Sequence, residues 1–124
     1  MSLVLDLVNY IASQTSLTVD TDLFVEASVY DAPSKCVIVA ENYGTDNESR
    51  VKQYSVQVFA KDLAPEDAKT LAGTVYDLLA HKPGFSDVSL QDIFYVDVLY
   101  TPAIIDRDSR GSFICSFSLL VRMK

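Results

Sequence analysis

Val4, Leu7, Val8 and Ile11 recur at the i, i+3, i+4, i+7 spacing that lines one face of a helix, which predicts a helix over residues 3–14. Ser2 offers an N-cap hydroxyl, Asp6 places negative charge near the positive end of the helix dipole, and the polar run Gln14-Thr15-Ser16 ends the stripe. A helix of a dozen residues is marginal alone, so it is expected to pack on something larger. From Leu17 to Pro33 the pattern weakens. Leu23-Phe24-Val25 and Ala27-Ser28-Val29-Tyr30 fit either a short strand or an irregular apolar connection, and Asp31-Ala32-Pro33-Ser34 is turn chemistry.

Cys36-Val37-Ile38-Val39-Ala40 is a β-branched run of strand length, followed by the polar loop Asn42 to Arg50. From Val51 to Lys61 the period becomes two: Tyr54, Val56, Val58 and Ala60 share one face, and Gln53, Ser55 and Gln57 share the other. Such alternation predicts a sheet with one packed and one wet or partner-facing side. A second helix opens at Pro65, whose missing N–H costs nothing there, with Glu66 and Asp67 in its first turn. Ala68, Leu71, Ala72, Val75, Leu78 and Leu79 form its buried stripe, His81-Lys82 its basic last turn and Pro83-Gly84 its stop, with Gly84 as a left-handed cap.

Two further strands are predicted. Over residues 93–100, Phe94, Val96, Val98 and Tyr100 alternate with Tyr95, Asp97 and Leu99. Over residues 112–122, Phe113, Cys115, Phe117, Leu119 and Val121 alternate with Ser112, Ser116, Ser118 and Arg122. The intervening Thr101 to Gly111 reads as a long loop carrying Ile104 and Ile105. The order α-β-β-α-β-β predicts an α+β fold: a single domain over residues 1–124, with an antiparallel sheet of about four strands and two helices on one face.

Composition narrows the function classes. A chain of 124 residues and net charge −7, 49% hydrophobic and 22% charged, has the make-up of an ordinary globular domain and excludes disordered and disulfide-scaffold classes. The acid excess argues against a wide phosphate-gripping face; Arg50, Lys52, Arg107, Arg110 and Arg122 are scattered among acids, and Tyr95 and Tyr100 fall out of phase along their strand. No run approaches the roughly 20 apolar residues that span a bilayer, and the first residues lack the basic region of a signal peptide, so synthesis in a cytoplasm is expected. Cys36 and Cys115 lie in apolar strand-like segments, as buried free thiols or, less readily in a reducing compartment, as a disulfide.

Candidate chemistry is sparse. His81, the only histidine, sits at a helix end beside Lys82 rather than with a nucleophile and an orienting carboxylate. Asp106-Arg107-Asp108 and Asp46-Asn47-Glu48 lack the oxygen spacing and turn glycine of a calcium loop, so no metal or cofactor is expected. Gly73 inside a helix reads as a close-packing position.

Glu41-Asn42-Tyr43-Gly44 at the end of one strand, Tyr54-Ser55-Val56-Gln57-Val58-Phe59-Ala60-Lys61-Asp62 in the next, and the helix opened by Ala64-Pro65-Glu66-Asp67-Ala68 and closing on Tyr76-Asp77-Leu78-Leu79 together resemble the minor capsid and tail-completion proteins of tailed bacteriophages, tail terminators included. The stretch Leu23-Phe24-Val25-Glu26-Ala27-Ser28 departs from the turn found there in relatives. The resemblance implies a non-enzymatic virion protein made in the bacterial cytoplasm. It would form a hexameric ring on the tail tube, with the tube protein and a head-connector protein as partners and no sequence-specific nucleic acid or membrane contact. Carried to this chain, it makes Tyr43, Asp46, Glu48 and Arg50 on the first hairpin, and Ile104, Ile105, Arg107 and Arg110 on the second, the interface candidates, with the two isoleucines as anchors or, equally, tucked onto their own domain. The alternative is a small-ligand or peptide-binding module using Gln53, Ser55 and Gln57 on the open sheet face.

Overall fold

The computed structural model describes residues 3–45, 52–85 and 90–123. Helix α1, Leu3–Gln14, buries the predicted Val4, Leu7, Val8 and Ile11; its expected cap Ser2 lies outside the described residues. Helix α2, Pro65–Leu79, buries Ala68, Ala72, Val75 and Leu79, with Leu71 and Leu78 packed beside them. Ala64 at its N-cap makes no side-chain cap bond. The strands are β1 Leu23–Val25, β2 Cys36–Thr45, β3 Lys52–Asp62, β4 Ile93–Arg107 and β5 Phe113–Met123. They form one sheet in the order β1-β2-β3-β5-β4.

The α+β class holds, but the sheet has five strands and is mixed: Leu23 to Val25 pair in parallel with Val37 to Val39, while the other neighbours are antiparallel. A parallel neighbour needs a crossover. Here residues 26–35 supply it, running as a strap over the sheet face away from the helices.

Alternation sorts the two faces. Val37, Val39, Val56, Val58, Ala60, Cys115, Phe117, Leu119 and Val121 join the buried residues of both helices in the main core. On the opposite face, Ala32 from the strap joins Cys36 and Ile38 in a separate small cluster, flanked by Phe24, Val29 and Phe59. Cys36 and Cys115 are thus free, buried and on opposite faces, which excludes a disulfide between them. Burial pushes the Cys36 thiol up to about 11, with Lys61 pulling the other way.

Two glycine expectations are corrected. A Cβ built at Gly73 meets nothing within 4 Å, so close packing does not explain that glycine. The left-handed residue after α2 is His81, with φ of 59°, directly after the C-cap Ala80, whose N–H donates to Tyr76 O; Gly84, at φ of 145°, is not the cap.

Candidate functional site

The longest strand, β4, builds the site. Its fifteen residues pair with only eleven of β5, and the surplus is absorbed in four register shifts, at Ile93/Tyr95, Val98/Tyr100, Tyr100/Ala103 and Ile104/Asp106. Each bulge adds a residue to one strand, bends it and re-aims the following side chains. The stretch Thr101 to Arg107, expected as loop, is therefore strand. Pro102 is tolerated because β4 is an edge strand, where a missing N–H breaks no ladder. Farther back, the outer edge of β4 is covered: His81 N donates to Val96 O, and Val96 N to Lys82 O.

The bulges also correct the phase of the tyrosines. Tyr95 pairs with Arg122 and Tyr100 with Ser118, both on the face away from the helices, so the two rings share that face. Gln53, Ser55 and Gln57 lie there too, opposite Arg122, Leu120 and Ser118. Arg122 Nε is paired with Asp97 Oδ2 at 2.6 Å. Between β3, β5 and the bent β4 runs a groove of about 350 Å³, walled by Gln57, Tyr100, Ala103, Ile105, Ser116 and Ser118. Gln57 Nε2 donates to Ser116 Oγ at 3.1 Å across its polar floor. Its rim is apolar and open, with Tyr100 73% and Ile105 53% exposed, and Leu99 is exposed next along the strand.

The sequence-predicted residues separate by direction. Ile104 pairs with Cys115 and packs against the main core, whereas the adjacent Ile105 faces the groove. Arg107 stacks its guanidinium 4.9 Å from the Phe113 ring centre. Arg110 Nη2 donates to Tyr30 O at 3.2 Å and Ala32 O at 2.8 Å, binding the strap of its own chain. The backbone of Tyr43 lies in β2, but its side chain, like Asp46, Glu48 and Arg50, lies outside the described residues. Alternation from Phe94 to Tyr100 places Tyr100 on the helix side, and only the bulge before it turns it to this face.

A polar latch borders the site. Lys61, fully buried, donates through Nζ to Val29 O at 2.7 Å and Ala32 O at 3.1 Å, and forms an ion pair with Asp108 Oδ2 at 2.7 Å. Asp108 Oδ1 accepts the N–H groups of Arg110 and Ser112, closing the β4–β5 turn. The Lys61 hydrogen bond, supported by those N–H donors and opposed by burial, holds the Asp108 carboxyl below the usual carboxylate value. Tyr30 OH donates to Asp106 Oδ2 at 2.7 Å, tying the strap to the end of β4 beside Ile105.

Among the described residues the groove walls carry no carboxylate, imidazole or thiol. Among the described residues no three His, Cys, Asp or Glu side chains converge as a metal site. The His81 imidazole meets the Tyr95 hydroxyl in a long contact of 3.5 Å, on a different stretch of β4 from the groove. No described helix is long and apolar enough to cross a membrane. No curated protein matches the chain significantly. The family profile described as bacteriophage tail terminator protein matches residues 10–124, taking in every strand and the whole of α2. The chain belongs to the bacteriophage tail terminator family, and is a structural component of a phage tail and thus of the virion.

Proposed function

We propose that this protein completes the tail tube as a ring of its own copies, most simply a hexamer, and presents a face for the head connector. The observation that carries the reading is the groove rimmed by exposed Tyr100 and Ile105, with no carboxylate, imidazole or thiol among the described residues of its walls, in a member of a tail terminator family. Exposed aromatic and aliphatic side chains such as these are what a contact surface buries at its centre, where aromatic anchors supply much of the binding energy. The mechanism is geometric: a ring matches the last layer of the tube and offers further tube subunits nothing to add to. Ile105 serves as anchor in this reading, whereas Ile104 serves the core.

The test is Ile105→Asp in the full chain, followed by light scattering and by electron microscopy with purified tail tubes. The expected result is a folded protein with the parent's far-UV spectrum that neither self-associates nor caps tubes. Changing Ile104 as well would damage the core and blur the result. If Ile105→Asp assembles and caps tubes like the parent, the groove is not the contact. If the parent protein binds neither tube ends nor connector rings of its own phage, the terminator reading fails altogether.

A further inference from the structure

We propose that residues 26–35 form a strap that opens as a unit while the rest of the fold stays closed, with Lys61 and Arg110 as its latch. The strap's attachments differ in kind from those of its surroundings. Glu26 N bonds Val39 O at its start and Asp31 N bonds Ser28 O within it, but the carbonyls of Val29, Tyr30 and Ala32 accept from side chains, Lys61 Nζ and Arg110 Nη2. Both latch residues belong to parts that stay behind, β3 and the β4–β5 turn. The apolar holdings of the strap, Val29 and Ala32, pack on Cys36, Ile38, Phe24 and Phe59, a cluster separate from the one shared by the helices. Glu26, a non-glycine residue at φ of 52°, marks one hinge, and Pro33 stands near the other. Segments held by few apolar contacts open at lower cost than the global fold.

Opening has a structural consequence. Phe59, beneath the strap, pairs across the sheet with Ser116, which walls the groove. Lifting the strap therefore extends the groove into an apolar patch of Phe59 and Ile38, and releasing Tyr30 from Asp106 frees the end of β4 next to Ile105. The strap is thus a device that changes the contact face. Its opening does not depend on the assembly reading and is tested without any partner.

Cys36 lies under the strap, its Sγ donating to Pro33 O at 3.3 Å, while Cys115 lies under the helices. In full-length Cys115→Ala and Cys36→Ala variants, labelling of the remaining thiol by an aromatic disulfide reagent is followed in rising sub-denaturing urea. The expected slope of log rate against urea for Cys36 is below about a third of that for Cys115, because less surface is exposed when only the strap opens. Arg110→Met, a change at an exposed turn residue, should raise Cys36 labelling about tenfold without urea. Equal steep slopes for the two thiols, or Cys36 labelling unaltered by Arg110→Met, would overturn the proposal.

Discussion

Replacing Lys61 with Met keeps most of the side-chain volume and removes one buried charge. The ammonium makes three short contacts, at 2.7 and 3.1 Å to the strap carbonyls and 2.7 Å to Asp108, from a site with no solvent exposure. Its loss leaves Val29 O without this donor, while Ala32 O keeps Arg110. It also strands the Asp108 carboxylate, whose other oxygen stays engaged with the turn N–H groups. Removing one partner of a buried pair costs about 3–5 kcal/mol, mostly through the charge left behind. Against roughly 6–19 kcal/mol of total stability for a chain of this length, that is a large share. It corresponds to a fall in Tm of roughly 10–20 °C. The assay is urea unfolding at pH 7 followed by circular dichroism, with Lys61→Met compared with Lys61→Met/Asp108→Asn. The double variant keeps the acceptor oxygen of the turn but removes the stranded charge, and should be more stable than Lys61→Met alone. A single variant within about 1 kcal/mol of the parent, or a double variant less stable than the single one, would refute the account of the pair.

Other outcomes follow from the same geometry. Because the Asp108 carboxyl titrates below its ordinary value in the fold, its contribution to stability is fully present above the ordinary carboxylate range near pH 4. That contribution is lost as pH falls through the lowered value; Asp108→Asn should flatten the acid limb of a stability–pH curve, and an unchanged limb would count against the pairing. Gly73→Ala, on a helix position with open space around the new methyl, should stabilise by about 0.5–1 kcal/mol in thermal melts, and destabilisation would show a packing role after all. His81→Gly relieves a left-handed residue and gives up only the long Tyr95 contact, so a gain of about 0.5–1 kcal/mol is expected; a clear loss would make the imidazole structurally important.

The main elements were legible where the chain repeats a period long enough to see. The stripe of Val4, Leu7, Val8 and Ile11 and the alternation from Tyr54 to Ala60 carry their own geometry, because burial on one side of a helix or strand imposes it, whereas α2 ends at Leu79, before the His81-Lys82 turn expected ahead of Pro83-Gly84. Leu23-Phe24-Val25 is too short to show any period, and its place beside β2 comes from Leu23 being buried and Asp22 O accepting Val37 N. The face taken by Tyr100, Ile104 and Ile105 was not legible. Each bulge shifts alternation by one, and where bulges fall is set by pairing with β5 rather than by the residues of β4 alone.

Local periodicity thus determined the α+β class, the two helices and the sides of β3 and β5 that face them. Tertiary structure alone decided that Lys61 is buried, that Arg110 turns back to the strap carbonyls, and that Ile105 rather than Ile104 looks outward. The physical reason is range. A helix stripe is a property of neighbours a few residues apart, whereas a buried ammonium needs acceptors 29 and 32 residues away and a carboxylate on another turn, which only the closed sheet brings within reach.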